Sequence, residues 1–298
     1  MFVITGATGN IGRAIAAGLL SQGYSVRALG RDDVKLQPLI DRGAEPMVGA
    51  PDDREFMREA FAGAAAVFTM IPPQATADDV RAGQAAIGEA IAAAVEVHQV
   101  GHVVNLSAQG AELSEGTGPV LGMHDQERRL DAITGLNVIH LRPAYFMENL
   151  LAAVGMIQRM RMYGSSIRAD VAFPMVATAD IAAVAVERLI ARDFAGSSTQ
   201  LLLGPADWTM ADATRVIGGA IGHPNLPYVQ LPYEQAAEAM LGLGLSPDGA
   251  RAIVELTRAI NEQRGVAPLA RDERSSTPTT LEQFVSDVLV PAFAARAA

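Results

Sequence analysis

The chain opens MFVITGATGNIGRAIAAGLL, and three glycines at three-residue spacing, Gly6, Gly9 and Gly12, stand directly behind its first apolar run. A glycine inside a helix costs about 1 kcal/mol relative to alanine. Two things can offset that cost: a ligand approaching the backbone, or tight packing. A strand over Phe2–Thr5 and a helix over Ile11–Ser21 would put the triplet at the turn between them. There Gly6 allows the tight turn, Gly9 lets a pyrophosphate reach the backbone, and Gly12 lets the helix press onto a sheet. The helix start adds free amides and a partial positive charge. The expected dinucleotide contacts are therefore Gly6, Thr8, Gly9, Asn10, Ile11 and Gly12. A glycine-rich turn without a ligand is the plainer alternative.

The rest of the chain supports that setting. Strands are expected at Phe2–Thr5, Ser25–Leu29, Glu45–Val48, Ala66–Met70, His102–Leu106 and Asn137–Leu141. Helices are expected between them at Ile11–Ser21, Val34–Asp41, Arg54–Phe61, Asp78–His98 and His124–Ile133. Regular alternation with nearly continuous apolar strands predicts an α/β fold, a doubly wound (Rossmann) parallel sheet covered on both faces. After Pro143 the rhythm changes. AYFMENLLAAVGMIQRM reads as a helix, YGSSIRAD as a turn, TADIAAVAVERLIAR as a helix and STQLLLG as one more strand, with mostly helix beyond. We expect a nucleotide-binding domain over 1–150, joined by a returning segment at about 174–204, and a smaller, mostly helical substrate-binding lobe over 151–298.

Composition excludes several classes of function. The net charge is -10 and no basic run occurs, so direct nucleic-acid binding is not expected. No cysteine is present, which removes disulfide and thiolate chemistry. The five histidines follow no metal-binding pattern, and His98 and His102 are separated by a helix-stopping Gly101, so no metal is expected. No uncharged apolar run approaches the ~18 residues of a membrane span. The first residues already read as a strand, and a cytoplasmic location is expected. A homodimer is left open.

The end of the second strand bears on which dinucleotide is bound. Enzymes that prefer NAD carry a carboxylate there for the ribose 2′-hydroxyl. This chain reads SVRALGRDD, with Gly30 at that place and Arg31 beside it. A guanidinium binds a 2′-phosphate through forked hydrogen bonds. NADP(H) is expected over NAD(H), with Arg27 and Arg13 as further cationic candidates. Solvated arginines diluted by Asp32 and Asp33 are the alternative.

The stretches TGATGNIG, VRALGR, VVNLSAQGA, GMHDQERRLDAITGLNVIHLRPAYFMENL and VATADIAAVAVERL resemble the NmrA-like branch of the atypical short-chain dehydrogenase/reductase superfamily, over roughly the first two thirds of the chain. The resemblance implies a nicotinamide near MIPP and SAQG, making Thr69, Ile71, Pro72 and Ser107 cofactor contacts, and a substrate pocket between two lobes. It implies either an NADPH-dependent reductase of quinones and related conjugated ketones or a silent sensor of nicotinamide redox state acting through a protein partner. An isomerase or epimerase is a third reading. Relatives place an Asp after the third strand to meet the adenine. Here Ala50 stands there, and Asp52 or Asp53 must substitute.

The superfamily's usual chemistry needs a Tyr with a Lys four residues on. None of Tyr24, Tyr145, Tyr163, Tyr228 and Tyr233 has one, and Lys35 is the chain's sole lysine. The positions are filled by MHDQE. His124 and Glu127 are expected to begin that helix, His124 as proton donor or substrate anchor, or else merely as part of an acidic helix start. Ser107 either bonds substrate or ribose, or simply ends its strand. Arg142 is read as a structural ion-pair partner, Phe146 as an apolar wall of the substrate pocket and Asn149 as a hydrogen-bonding group there. A small electron-poor acceptor, a quinone or an enone, fits a site with so little acid to offer.

Overall fold

The computed structural model describes residues 1–295. The first half alternates strictly: β1 (Phe2–Ile4), α1 (Asn10–Ser21), β2 (Val26–Gly30), α2 (Asp33–Ile40), β3 (Glu45–Val48), α3 (Arg54–Phe61), β4 (Ala66–Met70), α4 (Val80–Val97), β5 (His102–Leu106), α5 (Leu121–Asp131) and β6 (Asn137–Pro143). These strands form one parallel sheet in the order β3-β2-β1-β4-β5-β6. Its far edge is completed by a strand from much later in the chain, Ser197–Leu202, parallel to β6.

Alternation within the strands sorts their side chains into two cores. Phe2, Ile4, Phe68, Val104 and Ile139 face one side with α1, whereas Val3, Val67, Val103 and Val138 face the other with α3 and α4. Both faces are apolar because both are covered. On the second face the next layer turns polar. Thr69 donates to Asn105 Oδ1 (3.0 Å), Asn105 Nδ2 lies 3.0 Å from His140 Nδ1, and His140 Nε2 lies 3.0 Å from Asp131 Oδ1. Buried Thr69, Asn105 and His140 are tolerated because each finds a partner, the last of them the exposed Asp131.

The chain beyond β6 runs through β7 (Tyr145–Phe146), α6 (Val154–Met160), β8 (Tyr163–Ser165), β9 (Phe173–Val176), α7 (Thr178–Ala191), β10 (the edge strand Ser197–Leu202), β11 (Asp207–Trp208), α8 (Met210–Ala220), β12 (Tyr228–Gln230), α9 (Tyr233–Gly242), α10 (Pro247–Asn261), α11 (Leu281–Phe284) and α12 (Val290–Ala295). Here a third core gathers Phe173, Met175, Ile217 and Phe284, among others, around two small sheets, β11-β9-β7 and β12-β8. α7 instead joins the first half, packing on α1 with Val186 against Gly18.

Three local expectations need correction. Residues 145–160 are not one helix: Tyr145–Phe146 is a strand and Met147–Ala153 a 3-10 stretch before α6. Pairing of β7 with β9 extends the start of this segment, and tertiary pairing overrides local propensity. The turn expected around YGSSIRAD contains β8, which borrows a partner from β12 about sixty residues on. Finally, α5 begins at Leu121, behind a 3-10 turn at Gly118–Val120, so His124 and Glu127 lie inside the helix rather than at its start.

Candidate functional site

The site lies at the carboxyl ends of the parallel strands. Gly6 takes a left-handed backbone (φ +63°) that side chains resist. Its amide neighbourhood folds back, with Gly9 N–H donating to Gly6 O (3.0 Å). A Cβ on Gly12 would fall onto the Gly6 carbonyl, so Gly12 is a packing glycine. A Cβ on Gly9 would meet only Gly6 O, at 3.4 Å, and Gly9 is exposed. The triplet thus divides its labour: one glycine turns the chain, one packs, and one keeps the backbone approachable.

α1 then starts without a side-chain cap. The amides of Asn10, Ile11 and Gly12 donate to no acceptor among the described residues. Orphan amides of this kind, carrying the positive end of the helix dipole, fit a phosphate. At the tip of β2, a Cβ on Gly30 would stand 2.7 Å from Thr8 Cγ2, so a side chain there would have to displace Thr8. The neighbouring Arg31 is exposed and makes no ion pair among the described residues. Arg13 is exposed as well. Arg27 is committed elsewhere, to Glu45 and to the carbonyls of Ala60 and Ala62 at the end of α3, and drops out as a phosphate ligand. Asp53 caps α3 through the amides of Glu55 and Phe56, leaving Asp52 as the uncommitted carboxylate.

Two expected cofactor contacts turn inward. Thr69 is fully buried and spends its hydroxyl on Asn105, and Ile71 sits in the core beneath α4. Either can meet a ligand only through its backbone. Pro72 remains half-exposed after β4.

Ser107, just past β5, is brought together with α5 and β6. Its hydroxyl donates to Glu127 Oε1 (2.5 Å). The same carboxylate receives Arg142 Nε at 2.9 Å on Oε1 and Nη2 at 2.6 Å on Oε2, while Arg142 Nη1 donates to Glu112 (3.1 Å). The ion pair read into Arg142 is present, with Glu127 as its buried partner and Glu112 as a second, exposed one. Hydrogen bonding to Glu127 raises the Arg142 pKa against the opposing effect of burial, so the guanidinium stays charged.

His124 is half-buried in the second turn of α5, its Nδ1 lying 2.8 Å from the Ala111 carbonyl oxygen. Phe146 packs against the core beneath α1, and Asn149 is exposed with no side-chain bond among the described residues. Its neighbour Glu148, not singled out as a site residue from the sequence, receives the Thr178 amide at 3.0 Å and the Thr178 hydroxyl, capping α7.

The second half returns over this end of the sheet. Val80 N–H donates to Asp248 (2.8 Å), Ser246 to the Ala77 carbonyl (2.5 Å) and Gln109 Nε2 to the Ala267 carbonyl (3.2 Å). Gly265 lies directly on Gly110. Tyr145, Tyr163 and Tyr228 belong to the second lobe's interior, where burial pushes their phenols up, Tyr228 to about 12. Among the described residues no cluster of three metal-ligating side chains occurs, and no helix is long and apolar enough to cross a membrane.

The model of the NmrA-like family matches residues 1–285. An NAD(P)H azoreductase of Xenophilus azovorans is 28% identical over 279 residues, covering 90% of this chain and 87% of that protein. Among solved structures, an NADPH-dependent quinone oxidoreductase of Escherichia coli superimposes with a TM-score of 0.78 at 21% identity, covering 97% of this chain and all of that one. The triphenylmethane reductase of Citrobacter sp., complexed with NADP(H), does so with a TM-score of 0.79 at 18% identity, over 96% and 99% of the two chains.

Proposed function

Because the chain belongs to the NmrA-like family, we propose that it is an NADPH-dependent reductase of a small electron-poor compound, a quinone or an enone. The observation that carries this reading is the uncapped start of α1, with Gly9 open to the outside and Arg31 free at the tip of β2. NAD(P)H is named for the similar azoreductase and NADP(H) for the triphenylmethane reductase structure, and the residues present here fit such a group.

In this account the amides of Asn10, Ile11 and Gly12 hold the pyrophosphate. Arg31, assisted by Arg13, holds the 2′-phosphate in place of a ribose-binding carboxylate. Held there, the dinucleotide would supply hydride chemistry, two electrons with one hydrogen passed to the acceptor. Ser107, the Pro72 loop and the strap around Ala267 enclose the reacting end and exclude water. A quinone that gains a hydride is left as a resonance-stabilised oxyanion, which takes its proton from water. That requirement suits a chain with one lysine, Lys35, on α2.

Oxidation of NADPH in the presence of a panel of quinones, enones and azo compounds tests the proposal. Saturable turnover with at least one class supports it. Tight NADPH binding with no acceptor reduced would replace it with a redox sensor acting through a partner.

A further inference from the structure

We propose that Glu127 is a positioning residue that fixes Ser107 as a hydrogen-bond acceptor, so that the site selects acceptor molecules bearing an N–H or O–H donor beside the bond to be reduced. The inference rests on the reading above for the kind of molecule that enters.

A carboxylate oxygen bonded to a guanidinium accepts and does not donate. Ser107 therefore has one direction for its hydrogen, toward Glu127 Oε1 at 2.5 Å. Its remaining lone pairs are all it can offer a ligand. The arrangement is not free to invert. Both Glu127 oxygens are held by Arg142, at 2.9 and 2.6 Å, and Glu127 and Ser107 are 6% and 4% exposed.

A second group points the same way. The Ala111 carbonyl can only accept, so the hydrogen between it and His124 belongs to Nδ1. In the neutral ring Nε2 is then bare, and it has no partner among the described residues. The two side chains nominated for proton donation each commit a hydrogen to the protein, Ser107 to Glu127 and His124 to the Ala111 carbonyl. Such a site has little to give a bare carbonyl oxygen. It is matched to an amino- or hydroxy-substituted quinone, an enaminone or a hydrazone.

The test measures equilibrium binding of menadione and of an amino-substituted naphthoquinone to the NADP⁺-loaded protein, where no reduction can occur. The wild type should prefer the amino compound by roughly tenfold, the size of one hydrogen bond. Ser107→Ala should abolish the preference by weakening the amino compound alone. Glu127→Gln should abolish it too, and in the Ser107→Ala background it should change the preference no further. That last result separates positioning from a merely structural role. If Glu127→Gln does not fold, Ser107→Ala alone decides, because a serine that donates to carbonyls would weaken both compounds equally. Equal weakening, no wild-type preference, or a Glu127→Gln effect that persists without Ser107 would overturn the inference. A retained preference in a protein that reduces neither quinone with NADPH would instead overturn the reductase reading and leave this one standing.

Discussion

Thr8 Cγ2 lies 2.7 Å from the place a Gly30 Cβ would occupy, so the glycine-rich loop and the tip of β2 are fitted to one another. The missing carboxylate at Gly30 thus goes with close packing against Thr8 and Leu36 as well as with cofactor choice. With Arg31 exposed beside it, NADPH should bind more tightly than NADH. Arg31→Ala should narrow that gap by about 1.5–3 kcal/mol, the usual worth of a charge-assisted bond. Calorimetric titration of both cofactors checks this, and equal affinities in the wild type would contradict it.

Gly9 and Gly12 should separate binding from folding. Gly9→Val adds a side chain where only one backbone oxygen stands nearby, so the protein should fold and fail to bind cofactor. Gly12→Ala drives a methyl into the Gly6 carbonyl and should cost about 1–3 kcal/mol of stability. Chemical denaturation with parallel titration distinguishes the two. Normal NADPH binding by Gly9→Val would reduce the triplet to a packing device.

Glu148 should matter for stability rather than for turnover. It caps α7 through Thr178, and α7 packs on α1. Glu148→Ala removes both the cap and a favourable charge at a helix start, for an expected loss of about 1–2 kcal/mol. The denaturation midpoint should fall with unchanged slope.

Alkaline pH should weaken the second lobe. Burial holds the Tyr228 phenol at about 12, above its ordinary value of 10, and its hydroxyl donates to the Ile167 carbonyl (2.6 Å). Between those values the unfolded chain has released a proton that the folded one keeps, so stability falls as pH rises. The full contribution is present below about pH 10 and is lost by about pH 12. Partial solvent screening limits it to about 1–2 kcal/mol. Tyr228→Phe should flatten the decline in urea unfolding between about pH 10 and pH 12.

The sheet was legible because each of its first six strands carries its own signal, an apolar run bounded by turns. The strand-to-helix turn was legible for the same reason: Gly6, Gly9 and Gly12 are local. What escaped the sequence is pairwise and distant. β9 and β8 exist through partners elsewhere in the chain, and Glu148 shows its role only once Thr178 is beside it. Thr69 looked available at the end of β4, yet strand register turns it onto Asn105. The Ser107–Glu127–Arg142 cluster joins three elements, and only the ion-pairing of Arg142 was readable beforehand.

The central claim, that this chain delivers a hydride from NADPH to a small acceptor, is tested most directly by a single anaerobic turnover of the NADPH-loaded protein with menadione. The account predicts one quinol formed for each NADPH consumed, faster than with free NADPH in buffer, and loss of that acceleration in Gly9→Val. Tight NADPH binding with quinol formation no faster than in buffer would contradict it.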